Sequence, residues 1–104
     1  MILTTTEEVP GKKISQILGI VKANTIRSRG VGGHILASLE SVVGGEITAY
    51  QKTLNEAREE ALERMKKEAK KLKADAVVGL RFTTSDVMTT AAEVLVFGTA
   101  VKLK

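Results

Sequence analysis

The stretch AEVLVFGTAVKL, residues 92–103, decides how the rest of the chain must fold. Val94, Leu95, Val96, Phe97, Ala100 and Val101 are apolar on whichever side of a strand they fall. A strand with one face in water alternates apolar and polar residues, whereas an unbroken apolar run signals cover on both faces. Just upstream, ADAVVGLRF (74–82) reads as a second strand, and the polar TTSDVMTT (83–90) as the loop of a β-hairpin joining the two.

The cover for one face is equally legible. From Glu46 to Lys73, Ile47, Tyr50, Leu54, Ala57, Ala61, Met65, Ala69 and Leu72 step by three or four residues along one stripe. The remaining positions are almost wholly charged or polar, so the spacing predicts one long amphipathic helix of roughly 40 Å. Glu60 and Arg64 stand one turn apart in the favourable order. The cations from Arg64 to Lys73 lie where the helix dipole is negative, which makes them a solvated helix end rather than a nucleic-acid or lipid site.

Toward the N-terminus, ILTTT (2–6) suits a short strand, Pro10-Gly11 a turn, and KISQILGIVKANTI (13–26) a longer strand. Alternation places Ile14, Leu18 and Ile20 on one side of that strand and Ile17, Val21 and Ala23 on the other. After His34, the positions of Ile35, Leu39, Val42 and Val43 predict a short helix closed by Gly44-Gly45. The chain, 104 residues long, reads as a single domain, 1–104, of class α+β: two layers, an antiparallel sheet packed on one long helix plus a short helix.

Two helices can cover only one face of such a sheet. The valines and leucines of the other would remain in water, and monomers rarely expose apolar patches larger than a few hundred Å². Other copies of the chain are the expected cover.

Composition narrows function further. The apolar share of 43% and the charged share of 27% are ordinary for a soluble globular protein, and aromatics are scarce at 3%. A net charge of +4 with no tryptophan gives neither a concentrated basic face nor stacking platforms, so no nucleic-acid role is expected. MILTTTEEV does not resemble a secretory signal, and the apolar runs are too short for a bilayer. The expectation is a cytoplasmic protein with no membrane partner.

Several phrases then become recognisable. VPGKKI near the start, SVVGGEITAYQKTLNEAREEALERM (41–65), LKADAVVGLRF (72–82) and FGTAVKL (97–103) resemble the YbjQ-like family over nearly the whole chain. The resemblance implies a dodecin-like subunit assembled as a ring, a homopentamer, with extra short strands helping assembly. The family carries a heavy-metal-binding description but no catalytic set to transfer.

The stretch RSRGVGGHILAS (27–38) concentrates what chemistry the chain offers. Arg27, Arg29, Gly33 and His34 are the candidate ligand-binding residues, for a metal or a small anion at subunit interfaces. The glycines could present bare N–H groups to an anion at a helix start, yet GVGGH matches neither the P-loop nor the dinucleotide fingerprint. Thiophilic metals want sulfur, and zinc wants three or four converging Cys, His or carboxylate ligands. With no cysteine and one histidine, a ring gathering one His34 per copy is the only plausible metal geometry, and no metal or other cofactor is implied by the residues. Ser85-Asp86 lies far in sequence from the histidine, so no triad assembles by pattern. The expected function is therefore non-enzymatic: a homo-oligomeric domain whose partner is itself. The alternatives are ligand binding through the Arg27–His34 loop, or a hydrolase or transferase whose site forms only between chains.

Overall fold

The computed structural model describes residues 1–28, 45–88 and 91–104. Its elements are β1 (Ile2–Leu3), β2 (Ile14–Ser28), α1 (Gly45–Lys71), β3 (Ala76–Met88) and β4 (Ala91–Leu103). They form one four-stranded sheet, ordered β1-β3-β4-β2, with α1 laid across one face. The short helix expected over 35–43 lies outside the described residues.

The sheet is mixed, not wholly antiparallel. β4 pairs antiparallel with β2 and β3, but β1 runs parallel to β3, Ile2 beside Ala76 and Leu3 beside Val77. The helix that separates β1 from β3 in sequence makes the parallel pairing possible, as a crossover must.

The hairpin is also longer than the sequence suggests. Residues 83–88 continue β3 rather than looping out, with Thr84 opposite Val94 and Asp86 opposite Ala92. Thr83, Thr84 and Val87 are β-branched and favour the extended chain. No core-facing alternation betrays them, because every residue of β3 from Arg81 onward is exposed.

The helix face of the sheet forms the main core. Ala57, Ala61, Met65 and Ala69 of α1 are fully buried against Val21, Val77, Val94, Val96 and Ala100. The three small alanines let the helix backbone come close to the sheet, and the buried Thr25 hydroxyl of β2 donates to the Ala57 carbonyl at 3.0 Å. Gly98 of β4 completes this close packing: a Cβ there would sit 2.6 Å from Val77 Cγ1.

The helix stops at Lys71, two residues short of the expected end. Lys73 takes a left-handed conformation (φ 61°), the Ala74 N–H reaches Ala69 O at 3.1 Å, and the Lys73 N–H reaches Lys70 O at 2.9 Å. This double bond pattern closes a helix with a residue of positive φ, here a lysine where glycine is usual.

On the opposite face, the N-terminal segment supplies cover that the sequence did not reveal. Pro10 and Gly11 form the expected turn, with Gly11 at φ 80° and the Lys12 N–H donating to Val9 O. Val9 then packs on Ala76, Val78 and Val101 in a second, smaller core. Farther along β2, a register irregularity between Ile17 and Gly19 reverses the expected alternation. Ile17 and Ile20 now share the helix-free side with Val101 and Thr99, while Leu18 packs with the main core.

Candidate functional site

Of the four candidate residues, Arg27 is described, and Arg29, Gly33 and His34 lie outside the described residues. Arg27 belongs to β2, not to a loop, because β2 runs through to Ser28. It stands opposite Ala92, on the side of the sheet that α1 covers. There its guanidinium donates to Glu60 of α1, with both side chains about one-third exposed.

Arg64, one helical turn beyond Glu60, donates to the same carboxylate at 2.5 Å and to the backbone carbonyl of Asn24 at 3.0 Å. One carboxylate thus holds two guanidiniums, and the group ties the middle of α1 to β2. The Arg27 hydrogen bond, aided by the charges of Arg27 and Arg64, holds the Glu60 carboxyl below its ordinary range against a smaller opposing effect of desolvation. Arg27 is therefore engaged by its own chain. Glu60 escaped notice as its partner because the strand and the helix are far apart in sequence; only the one-turn spacing to Arg64 was legible.

A groove of 510 Å³ opens between β2 and the last turns of α1, lined by Ile20, Val21, Lys22, Glu68, Lys71 and Leu72. Lys71 donates to Glu68 at 3.1 Å. The groove presents apolar surface and paired charge. Ser85 and Asp86, placed by sequence in a loop, instead stand on β3 opposite Glu93 and Ala92.

Among the described residues the metal donors do not gather into a site. Cysteine is absent and histidine occurs once. Met65 is buried in the core, while Met1 precedes β1 and Met88 ends β3. Since β1 sits beside the start of β3, the two exposed thioethers lie roughly 40 Å apart at 3.3 Å per residue. No cluster of three or more His, Cys, Asp or Glu side chains suited to a metal occurs among the described residues.

Comparison with known proteins places this architecture. A family model described as "Putative heavy-metal-binding" matches residues 1–104. The chain belongs to the YbjQ family. YbjQ-family relatives named "UPF0145 protein" include one from Archaeoglobus fulgidus, 58% identical over 104 residues, covering all of this chain and 96% of the relative. One from Thermotoga maritima is 53% identical over 104 residues, covering 98% of the relative. A DUF74-family protein of unknown function from Pediococcus pentosaceus shares the fold, with a TM-score of 0.70 at 24% identity over the whole chain and 98% of that protein.

Proposed function

We propose that this YbjQ-family chain is a non-enzymatic assembly unit that works as a homo-oligomeric ring, a pentamer, in the cytoplasm. The helix-free face of the sheet supports the reading. Ile17, Ile20 and Ile26 of β2 are 70%, 77% and 56% exposed, and Phe97 of β4 is 38% exposed. By register, Ile20 lies beside Thr99, Phe97 beside Lys22, and Ile26 beside Glu93, all on that face. The Val9 segment covers only the end around Ala76 and Val101.

Burying a side chain of this size is worth about 1.5–3 kcal/mol. The exposed isoleucines together forfeit several kcal/mol in the lone chain, a large share of a small domain's stability. Sister copies recover it. Polar residues on the same face, such as Asn24 donating to Glu93 at 2.8 Å, are satisfied in place and permit a mixed, specific contact.

No helix among the described residues is long and apolar enough to cross a membrane. The partner in this reading is the chain itself, without nucleic acid or bilayer. Native mass spectrometry of the purified chain tests it: a closed oligomer of fixed size is expected, and a folded monomer at micromolar concentration overturns it. Metal analysis of the same sample tests the family's label. The donor chemistry leads to an oligomer without stoichiometric zinc, copper or nickel, and a metal lost in His34→Ala would restore the binding reading.

A further inference from the structure

In the sequence the lysines that close α1 read as a solvated helix end; the fold brings others to them from distant segments. Lys70 and Lys71 lie in the last turn of α1, and Lys73 follows it. Asp75, two residues on, donates its N–H to Val101 O at 2.9 Å and accepts the Leu103 N–H at 2.8 Å. These bonds set the end of β4 beside the end of the helix, with Lys102 in that end of β4 and Lys104 just past it. Lys104 in turn exchanges two backbone hydrogen bonds with Lys13, ahead of β2, at 2.9 and 3.3 Å.

Residues so paired carry their side chains on the same face, and like charges directly opposite oppose the pairing. Alternation from Ala100, a main-core residue, puts Lys102 and Lys104 on the side of α1, and Lys13 with them. Six lysines thus meet at one end of the chain: Lys13, Lys70, Lys71, Lys73, Lys102 and Lys104. The acids beside them are already engaged, Glu68 by Lys71 at 3.1 Å and Asp75 by Lys102 at 3.9 Å. Lys13, Lys70, Lys73 and Lys104 have no acidic partner among the described residues. Stability gains nothing from setting Lys13 against Lys104, whereas an anionic partner relieves that repulsion. Lys71 and Leu72 also line the groove between α1 and β2, and Leu72 is 43% exposed, so an apolar seat adjoins the charge.

We infer that this end of the chain holds an acidic segment of another protein, its carboxylates on the six lysines and an apolar side chain in the groove at Leu72. Other polyanions fit less well. None of the six cations is an arginine, whose planar fork suits phosphate. The aromatic residues, Tyr50, Phe82 and Phe97, lie early in α1, on the outer half of β3 and midway along β4, which leaves nucleic-acid bases no stacking platform at this end. A flat bilayer surface does not fill a groove, whereas an extended segment lays side chains into one. The cluster stands on the helix side of the sheet, apart from the helix-free face used in the assembly reading, and does not depend on that reading.

Fluorescence anisotropy of the intact chain with a labelled peptide of repeated Asp-Leu-Glu tests the inference. Saturable binding that weakens with added salt is expected. Lys70→Glu/Lys104→Glu, one change on the helix and one past β4, should weaken it by about tenfold or more. Lys52→Glu/Arg58→Glu makes the same change in net charge farther back along α1 and should leave binding near the parent's. Circular dichroism and the native mass of both variants should match the parent. Equal losses in the two variants would show an effect of net charge and overturn the site. Equal binding of a repeated Asp-Ser-Glu peptide overturns the seat at Leu72. Tighter binding of oligothymidine or of phosphatidylserine vesicles overturns the choice of a protein partner. No binding of the Asp-Leu-Glu peptide even at low salt overturns the inference as a whole, and each of these results leaves the assembly reading standing.

Discussion

The two halves of β3 belong to one strand and have opposite fates. From Ala76 to Leu80 the strand is almost wholly buried, flanked by β1 and β4, with Val77 and Leu80 in the main core and Val78 in the smaller one. From Arg81 to Met88 it stays paired with β4, with a register shift between Asp86 and Met88, but is exposed throughout. Both halves pair with β4, apart from an irregularity around Gly79 (φ 62°), so pairing with β4 is not what separates them. Cover separates them: α1 lies over β2 and β4 and barely touches β3, and the N-terminal segment packs on the first half and reaches the second at Arg81, which donates to Thr5 O. Extended structure can thus run well past the core that stabilises it.

Substitution in the covered region should carry the largest cost. Met65→Ala removes a fully buried side chain above the sheet, and a loss of about 2–5 kcal/mol in urea unfolding is expected. Val87→Ala in the uncovered half should change stability by less than about 0.5 kcal/mol at concentrations where the chain is dissociated. Equal losses at the two sites would erase the distinction between the halves. Next comes Gly98→Ala, whose new methyl meets the buried Val77 side chain and the Val78 carbonyl. A destabilisation of about 1–3 kcal/mol from overpacking is expected by the same measurement.

Smaller effects sharpen the comparison from the helix. Lys73→Gly places the usual residue at a left-handed helix end. It should raise the unfolding midpoint, by about 0.5–1 kcal/mol, because only the strain of a side chain at positive φ is removed. The Glu60 group gives a pH signature. Its carboxyl is lowered in the fold by Arg27 and Arg64, so its contribution is present above the unfolded-state value near 4.5. The contribution is lost as pH falls through the lowered folded value. Wild type should therefore lose more stability than Glu60→Gln on acidification below about pH 4.5, as followed by thermal melts across that range. The difference is small because the pair is partly exposed.

Much of this fold was legible in the sequence. The Ala57–Ala61–Met65–Ala69 stripe marks the helix and its buried side, and Pro10-Gly11 marks a turn whose φ values those residues favour. The missed features each depend on something beyond local pattern. Thr83 to Met88 lack a core-facing rhythm because every one of them is exposed. The irregularity at Gly19 flips the parity of β2, so the exposed side carries Ile17 together with Ile20 instead of separating them. The Val9 cover and the parallel β1 depend on contacts between distant segments. At the candidate site, Arg27 drew attention as a possible ligand group, but its tie to Glu60 spans 33 residues and is set by how α1 lies on β2. The sequence showed the charge; only the packing showed its partner.

Sedimentation velocity of the intact chain, from high micromolar to nanomolar concentration, tests most directly whether one chain suffices to cover this sheet. A single closed species with the mass of a ring, five copies in the proposed form, is expected to persist on dilution until it gives way to dissociated chains. A well-folded monomer at every concentration would show that Ile17, Ile20, Ile26 and Phe97 need no shield, and would contradict the account.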